Sequence, residues 1–513
     1  MTVSAQWWVR LRRIVQYLFL ALFLYLFIIT VKDRGSPLPV ELFYRLDPLA
    51  AISASLAGRT IPSKLIWALI TLAATLVLGR VWCGWVCPLG TLLDLFRFRR
   101  ARGNTIRVPP RWRQVKFFLL FVVLISALFA NLTLLILDPI TILTRTLATA
   151  VMPALNYAFT TIEFGLYGFG PLQAPLAWLE MALRGSILPT EQPFYQLNVL
   201  LAFLFIGIVS LNLFTHRFWC RYLCPLGALL GLLTKVSWLR RVVGPGCNQC
   251  RRCSRDCTMG TVEPERGFAG DPGECILCLA CLGTCPQESV TFKGQLGLAE
   301  WRSYDPSRRQ LLASLATSVG GLVLLRTSPI ARREHPRAIR PPGARENNLL
   351  AKCIRCGECM KVCPTSGLQP SFSESGLEGL WTPVLISRLG YCDYSCHACG
   401  QVCPSGAIPP LTLEEKRRTL IGLAYIDQNR CIPWADNVDC IVCEEMCPVP
   451  AKAVKLDEVE VLNDQGELVI VKRPRVVRDL CIGCGICEYK CPLNGEAAIR
   501  VYVPNELEYG ESA

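Results

Sequence analysis

Histidine is scarce in this chain of 513 residues, which holds only His216, His335 and His397. A haem buried between apolar helices and held by two histidines needs a facing pair, and these three positions offer none. No glycine-rich dinucleotide fingerprint opens a helix after a strand, so direct use of NADH is not expected. Charge is sparse as well. Charged residues make up 18% against 52% hydrophobic, and the mean hydropathy of +0.35 is too apolar for an ordinary soluble protein. Acidic residues fall short of basic ones, giving a formal charge of +14. The Lys and Arg gather beside apolar segments and do not interleave with aromatics. This is a membrane-topology signal, and no nucleic-acid partner is expected.

Cysteine is what the chain has in excess. Of its 28 cysteines, 24 fall into six runs of four. A large even number in a small secreted domain would suggest disulfides, but repeated runs of four favour metal clusters. The first two runs are Cys247-x2-Cys250-x2-Cys253-x3-Cys257 and Cys275-x2-Cys278-x2-Cys281-x3-Cys285, the second closed by Pro286. Paired C-x2-C also suits zinc. The full spacing, however, is that of bacterial two-cluster ferredoxins, where the fourth cysteine of each run crosses to the other 4Fe-4S cluster. Cys247, Cys250, Cys253 and Cys285 are therefore assigned to one cluster, and Cys275, Cys278, Cys281 and Cys257 to the other. Thr258 stands where a proline would follow Cys257.

Apolar runs at Ile14 to Val31, Leu65 to Gly79, Phe117 to Leu137 and Leu197 to Phe214 predict four membrane spans, the second short of the ~20 residues a bilayer asks for. The first follows a basic, Trp-containing start and reads as a span, not a cleaved signal. Nine Lys or Arg lie between Arg80 and Lys116, whereas Asp138 to Gln196 holds only Arg145 and Arg184. The positive-inside rule then puts the amino terminus, the basic loop and the first ferredoxin in the cytoplasm of a bacterial-type inner membrane. Trp82, Trp85, Trp112 and Trp219 are expected in an interfacial aromatic belt.

The membrane half repeats itself. RVWCGWVCPLGTLLDL runs from Arg80 to Leu95 and RFWCRYLCPLGALLGL from Arg217 to Leu232, and an Asp-Pro precedes each, Asp47-Pro48 and Asp138-Pro139. Two copies in one orientation suggest an axis along the membrane normal, which would draw Cys83, Cys87, Cys220 and Cys224 together. These four could ligate a seventh metal centre, act as redox thiols, or brace the turns. Asp before Pro is an ordinary helix start. As a carboxylate near the outer surface, each is also a candidate proton acceptor from a quinol.

The motif pair WCxxxCPLG followed by a two-cluster ferredoxin resembles NapH-type membrane ferredoxins and is similar to the membrane cores of NosR-type and CcoG-type proteins. No flavin-binding outer domain is evident, so none is inferred. Beyond it, Ser307-Arg308-Arg309-Gln310-Leu311-Leu312 opens a mild apolar run to Leu325, a Tat-like pattern that predicts a fifth span or anchor and export of the domain on its carboxyl-terminal side. Arginines from Arg326 to Arg345 argue against export.

Four more runs lie beyond that stretch: Cys353, Cys356, Cys359, Cys363; Cys392, Cys396, Cys399, Cys403; Cys431, Cys440, Cys443, Cys447; and Cys481, Cys484, Cys487, Cys491. They resemble NapG-type and MauM-type ferredoxins. That resemblance implies nested pairing, the first run with the fourth and the second with the third. Cys491 would join Cys353, Cys356 and Cys359, and Cys363 would join Cys481, Cys484 and Cys487. Cys447 would join Cys392, Cys396 and Cys399, and Cys403 would join Cys431, Cys440 and Cys443. Cys392 to His397 also spells a variant haem-attachment motif, but Cys399 and Cys403-Pro404 claim it for iron and sulfur.

The expected fold is an α-helical membrane core, about four spans plus a Tat-like fifth, with α+β ferredoxin-like 4Fe-4S modules. Its parts are 1–240 as membrane core, 241–295 as two-cluster ferredoxin, 296–346 as linker, and 347–513 as a four-cluster domain, expected outside the cytoplasm. The expected function is electron transfer between the quinone pool and a periplasmic reductase, dehydrogenase or cytochrome through six 4Fe-4S clusters, as a quinol-dehydrogenase-type subunit. A maturation factor for a metalloenzyme and a cytosolic ferredoxin-fed carrier are the alternatives.

Overall fold

The structure, a computed structural model, describes residues 3–30, 38–96, 110–184, 187–189, 192–295, 308–326, 338–372, 374–462 and 468–504. Ser307 of the twin-arginine pattern, His335, most of the basic loop after Phe96 and most of the arginine-rich stretch after Arg326 lie outside these residues. The chain forms two compact units that do not follow chain order. One comprises Met1–Ile28, Ser36–Thr146 and Val199–Val323, the other Ile29–Gly35, Leu147–Asn198 and Leu324–Ala513. The boundaries drawn from sequence differ in two ways. The ferredoxin at 241–295 groups with the helical core, and Leu147–Asn198 groups with the carboxyl-terminal cysteine runs.

In the first unit, one helix, Gln6–Ile29, is long and apolar enough to cross a membrane; it is the one such helix among the described residues. Helices occupy the other expected spans but are shorter: Ser63–Leu78, Gln114–Leu128 and Asn198–Leu213, with Leu312–Gly321 in the Tat-like stretch. Each repeat is built the same way. A helix starts at Asp-Pro, Pro48–Gly58 in one copy and Pro139–Thr146 in the other. Further on, a turn of π-helix, Trp82–Val86 or Trp219–Leu223, ends on an extended cysteine, and a new helix starts at the following proline, Pro88–Leu95 or Pro225–Leu233. Proline fits there because the first turn of a helix has no use for its missing N–H. The copies pack crosswise: Pro48–Gly58 touches Pro225–Leu233, and Pro139–Thr146 touches Pro88–Leu95. Trp82 and Trp219 are buried in this core, so the aromatic belt expected of them is corrected; Trp112 is exposed. Trp82–Val86 packs on Pro88–Leu95, and Trp219–Leu223 on Gln114–Leu128.

The ferredoxin of this unit closes on an antiparallel pair, Leu239–Val243 with Val290–Gly294, which brackets both cysteine runs. It docks on the repeats through Gly84, where a Cβ would stand 1.9 Å from the Ile276 carbonyl oxygen. Only glycine allows that approach.

The second unit has one apolar core, in which cysteines, Ile339, Leu349, Leu368, Ile408, Val454 and Ile499 pack together. Three antiparallel pairs frame it: Leu368–Pro370 with Pro383–Leu385, Leu423–Ile426 with Ile499–Tyr502, and the hairpin Val454–Leu462 with Leu468–Val476. The stretch 147–198 is tied in by side chains. Tyr195 donates to the Met360 carbonyl at 3.0 Å, and Gln369 binds both Phe194 O and Gln196 N.

Candidate functional site

Four cavities in the second unit are each lined by four cysteines. The sets are Cys353, Cys356, Cys359 and Cys403; Cys363, Cys392, Cys396 and Cys399; Cys431, Cys440, Cys443 and Cys491; and Cys447, Cys481, Cys484 and Cys487. Each set takes three cysteines from one run and one from its neighbour. The nested pairing is therefore corrected: the first run exchanges its fourth cysteine with the second, and the third with the fourth. Loop closure gives the physical reason, since Cys363 reaches the adjacent run through a short hairpin but would have to span most of the domain to reach the last one. The helices Glu358–Val362 and Ala398–Gln401 pack together, as do Val442–Glu445 and Ile486–Lys490.

In the first unit Cys257 lies within electrostatic range of Cys275 and Cys281, beside Cys278, while Cys253 neighbours Cys247 and Cys250. A 4Fe-4S cluster takes one thiolate at each iron, and cavities walled by four cysteines and apolar side chains fit it. Among the described residues no group of His, Cys, Asp or Glu converges on a single-ion site, which is not what a cubane asks for. Burial pushes the Cys281 thiol up to about 11 and the Cys484 thiol up to about 12, so metal uptake here releases protons. His397 keeps Nδ1 on the Leu411 carbonyl at 2.8 Å, and Cys396 beside it faces a cysteine cavity.

The two family models that match are a 4Fe-4S binding domain, over residues 60–105 and again over 197–245, and a 4Fe-4S dicluster domain over 268–364. Methylamine utilization ferredoxin-type protein MauM of Methylorubrum extorquens is 36% identical over 215 residues, 40% of this chain and 92% of that protein. The chain belongs to the MauM and NapG ferredoxin-type family. Ferredoxin-type protein NapG of Escherichia coli is 34% identical over 40% of this chain and 88% of its own length. Protein NirI of Paracoccus denitrificans is 31% identical over 43% of this chain but 28% of its own. No solved structure matches. The MauM and NapG likeness covers less than half of the chain, and the 4Fe-4S binding model falls on the two CxxxCPLG repeats.

Sequence reasoning missed several polar groups around the ferredoxin of the first unit. Thr258 Oγ1 donates to Cys278 Sγ at 3.2 Å, which gives the residue in the proline position a role. Arg221 bonds the Thr258 carbonyl and Arg113 the Gly260 carbonyl. Glu274 is wholly buried between Lys116, at 2.5 Å, and Arg80, at 3.2 Å. Burial opposes its ionisation, but the Lys116 and Arg80 charges outweigh that and hold its carboxyl below the usual glutamate range. Asp94 ties Arg12, His216 and Arg217 together. Burial again opposes the charge and the cations prevail, holding Asp94 far below the carboxylate range.

Asp47 and Asp138 meet in the core of the first unit. Asp47 Oδ1 accepts from the Leu49 and Ala50 amides, and Asp138 Oδ2 from those of Ile140 and Thr141. The ordinary N-cap role thus holds for both. The remaining oxygens, Asp47 Oδ2 and Asp138 Oδ1, are buried with no hydrogen-bond partner, and the two carboxyl groups lie within electrostatic range of one another. Burial makes it costly for two neighbouring carboxyl groups to be ionised together.

Proposed function

We propose that this chain is a membrane-bound polyferredoxin that carries electrons between the quinone pool and a redox partner outside the cytoplasm, a NapH-like membrane core fused to a MauM- and NapG-like four-cluster domain. Six 4Fe-4S clusters, when bound, supply one-electron chemistry. The chain's residues do the rest: thiolates hold the irons, apolar walls exclude water, and donors such as Thr258 set the potential of the ligand they touch. The observation that carries the reading is the set of four four-cysteine cavities in one unit, together with the two-run ferredoxin that the other unit contains.

Sidedness is supported by connectivity. Tyr195 and Gln196 are held by Met360 and Gln369, so the four-cluster domain shares a side with the stretch 147–198. That stretch has few Lys or Arg and lies outside by the positive-inside rule. The apolar helices at Ser63–Leu78, Gln114–Leu128 and Asn198–Leu213 would complete a four-span core beside Gln6–Ile29. Asp47 and Asp138 would take the protons a quinol loses on oxidation, through the oxygens that no backbone amide occupies.

Protease access tests the reading. In right-side-out vesicles the domain at 347–513 should be cut while 241–295 survives, and inverted vesicles should reverse this. Cleavage of both from the cytoplasmic face would sink it.

A further inference from the structure

Four cysteines stand outside the six runs, and the repeat gathers them. Cys83, Cys87, Cys220 and Cys224 are all buried, and every pair lies within electrostatic range. The family model for 4Fe-4S binding matches each repeat, yet 60–105 and 197–245 hold only two cysteines apiece. A cubane takes four ligands, so neither stretch can hold one alone.

The surroundings are arranged for an anion. Arginines cross between the copies: Arg217 Nη1 donates to the Cys83 carbonyl at 2.9 Å and lies over Gly90, while Arg80 lies over Gly227 beside Cys224. A Cβ on Gly227 would stand 2.7 Å from Arg80 Nη2, and one on Gly90 3.6 Å from both Arg217 Nη atoms. Glycine at 227 therefore makes room for the other copy's guanidinium, while at Gly90 the Arg217 guanidinium lies at ordinary contact distance. Arg80 and Lys116 share the single charge of Glu274, and Arg12 and Arg217 share that of Asp94. Basic groups therefore outnumber acidic ones on each side, and Arg80 and Arg217 are the cations that act on the thiols. Arg80 is wholly buried, and beyond the Cys83 thiol its Nε and Nη2 have no hydrogen-bond partner; nor do the buried indole N–H groups of Trp82 and Trp219, each next in sequence to a cysteine. Unpaired buried donors are costly unless something accepts from them.

We propose that Cys83, Cys87, Cys220 and Cys224 are the ligands of one further 4Fe-4S cluster, shared across the repeat with two thiolates from each copy. An oxidised cubane on four thiolates is doubly negative, which the Arg80 and Arg217 guanidiniums offset, and its sulfides are acceptors of the kind the orphaned donors lack. The site adjoins the ferredoxin: Trp85 Nε1 bonds the Leu277 carbonyl at 3.0 Å, and Gly84, one residue from Cys83, lies under Ile276 between Cys275 and Cys278. These ligands stand whether or not quinone is the electron source.

Metal analysis of the full chain, purified anaerobically in detergent, decides the matter. Seven cubanes give about 28 irons and as many acid-labile sulfides per chain, against about 24 for six. C83S/C220S should lose about four irons and leave the remaining Mössbauer signal that of intact cubanes. A wild-type count of about 24, or copper or zinc in place of the extra iron, overturns the proposal. If the variant fails to fold, the wild-type count still decides.

Discussion

Asp47 and Asp138 each cap a helix with one carboxyl oxygen, leave the other buried without a hydrogen-bond partner, and lie within electrostatic range of each other. The pairing brings the two repeats together at their Asp-Pro starts, where burial favours the protonated carboxyl. Asn caps a helix about as well as Asp, so D47N and D138N should each cost no more than about 1 kcal/mol in stability. The double variant should lose the infrared band of a protonated, buried carboxyl group, and quinol-driven reduction with it. A band unchanged in D47N/D138N would place the proton elsewhere.

Sequential pairing of the last four runs predicts which substitutions behave alike. Cys403→Ser should perturb the same EPR signal as Cys356→Ser, and Cys491→Ser the same one as Cys440→Ser. Nested pairing predicts instead that Cys403→Ser matches Cys440→Ser.

Thr258 supplies a hydrogen bond to a ligand sulfur, which favours the reduced, more negative cluster. Thr258→Val should lower one midpoint potential by roughly 60 mV, the equivalent of one charge-assisted hydrogen bond of about 1.5 kcal/mol. Redox titration followed by EPR measures this; a shift upward or none would remove the residue from the tuning set.

Glu274 predicts a pH effect. Its carboxyl is held below the ordinary glutamate value, so the stabilisation from Lys116 and Arg80 is in full force above about pH 4.5 and fades as pH falls through the lower, folded value. Glu274→Gln should remove that dependence from thermal unfolding curves and, by leaving two buried cations unpaired, cost about 3–5 kcal/mol at neutral pH. An equally steep acid loss in Glu274→Gln would assign the effect to other carboxylates.

Much of this arrangement is written in local spacing. The cysteine runs, the repeated CxxxCPLG turns and the Asp-Pro helix starts are short patterns whose geometry is set within a few residues, and the structure builds each of them. Pairings over long range were less legible. Nothing near Cys363 says whether the adjacent or the last run will receive it; the hairpin Leu368–Pro370 with Pro383–Leu385 decides that, and its strands are too short to announce themselves. Thr258 looked like a departure from pattern because its partner, Cys278, lies in the other run. Trp82 and Trp219 have the composition of an interfacial belt, and only the tertiary packing of the first unit buries them.

The central claim is that quinol delivers electrons to the clusters. Full-length protein in liposomes, kept anaerobic and mixed with reduced menaquinone or ubiquinone analogues, tests it with EPR read against the iron count. Part of the cluster signal should become reduced by quinol in the wild type, and not in D47N/D138N with the same iron content. Full occupancy with no quinol response, and ready reduction by soluble ferredoxin, would contradict it.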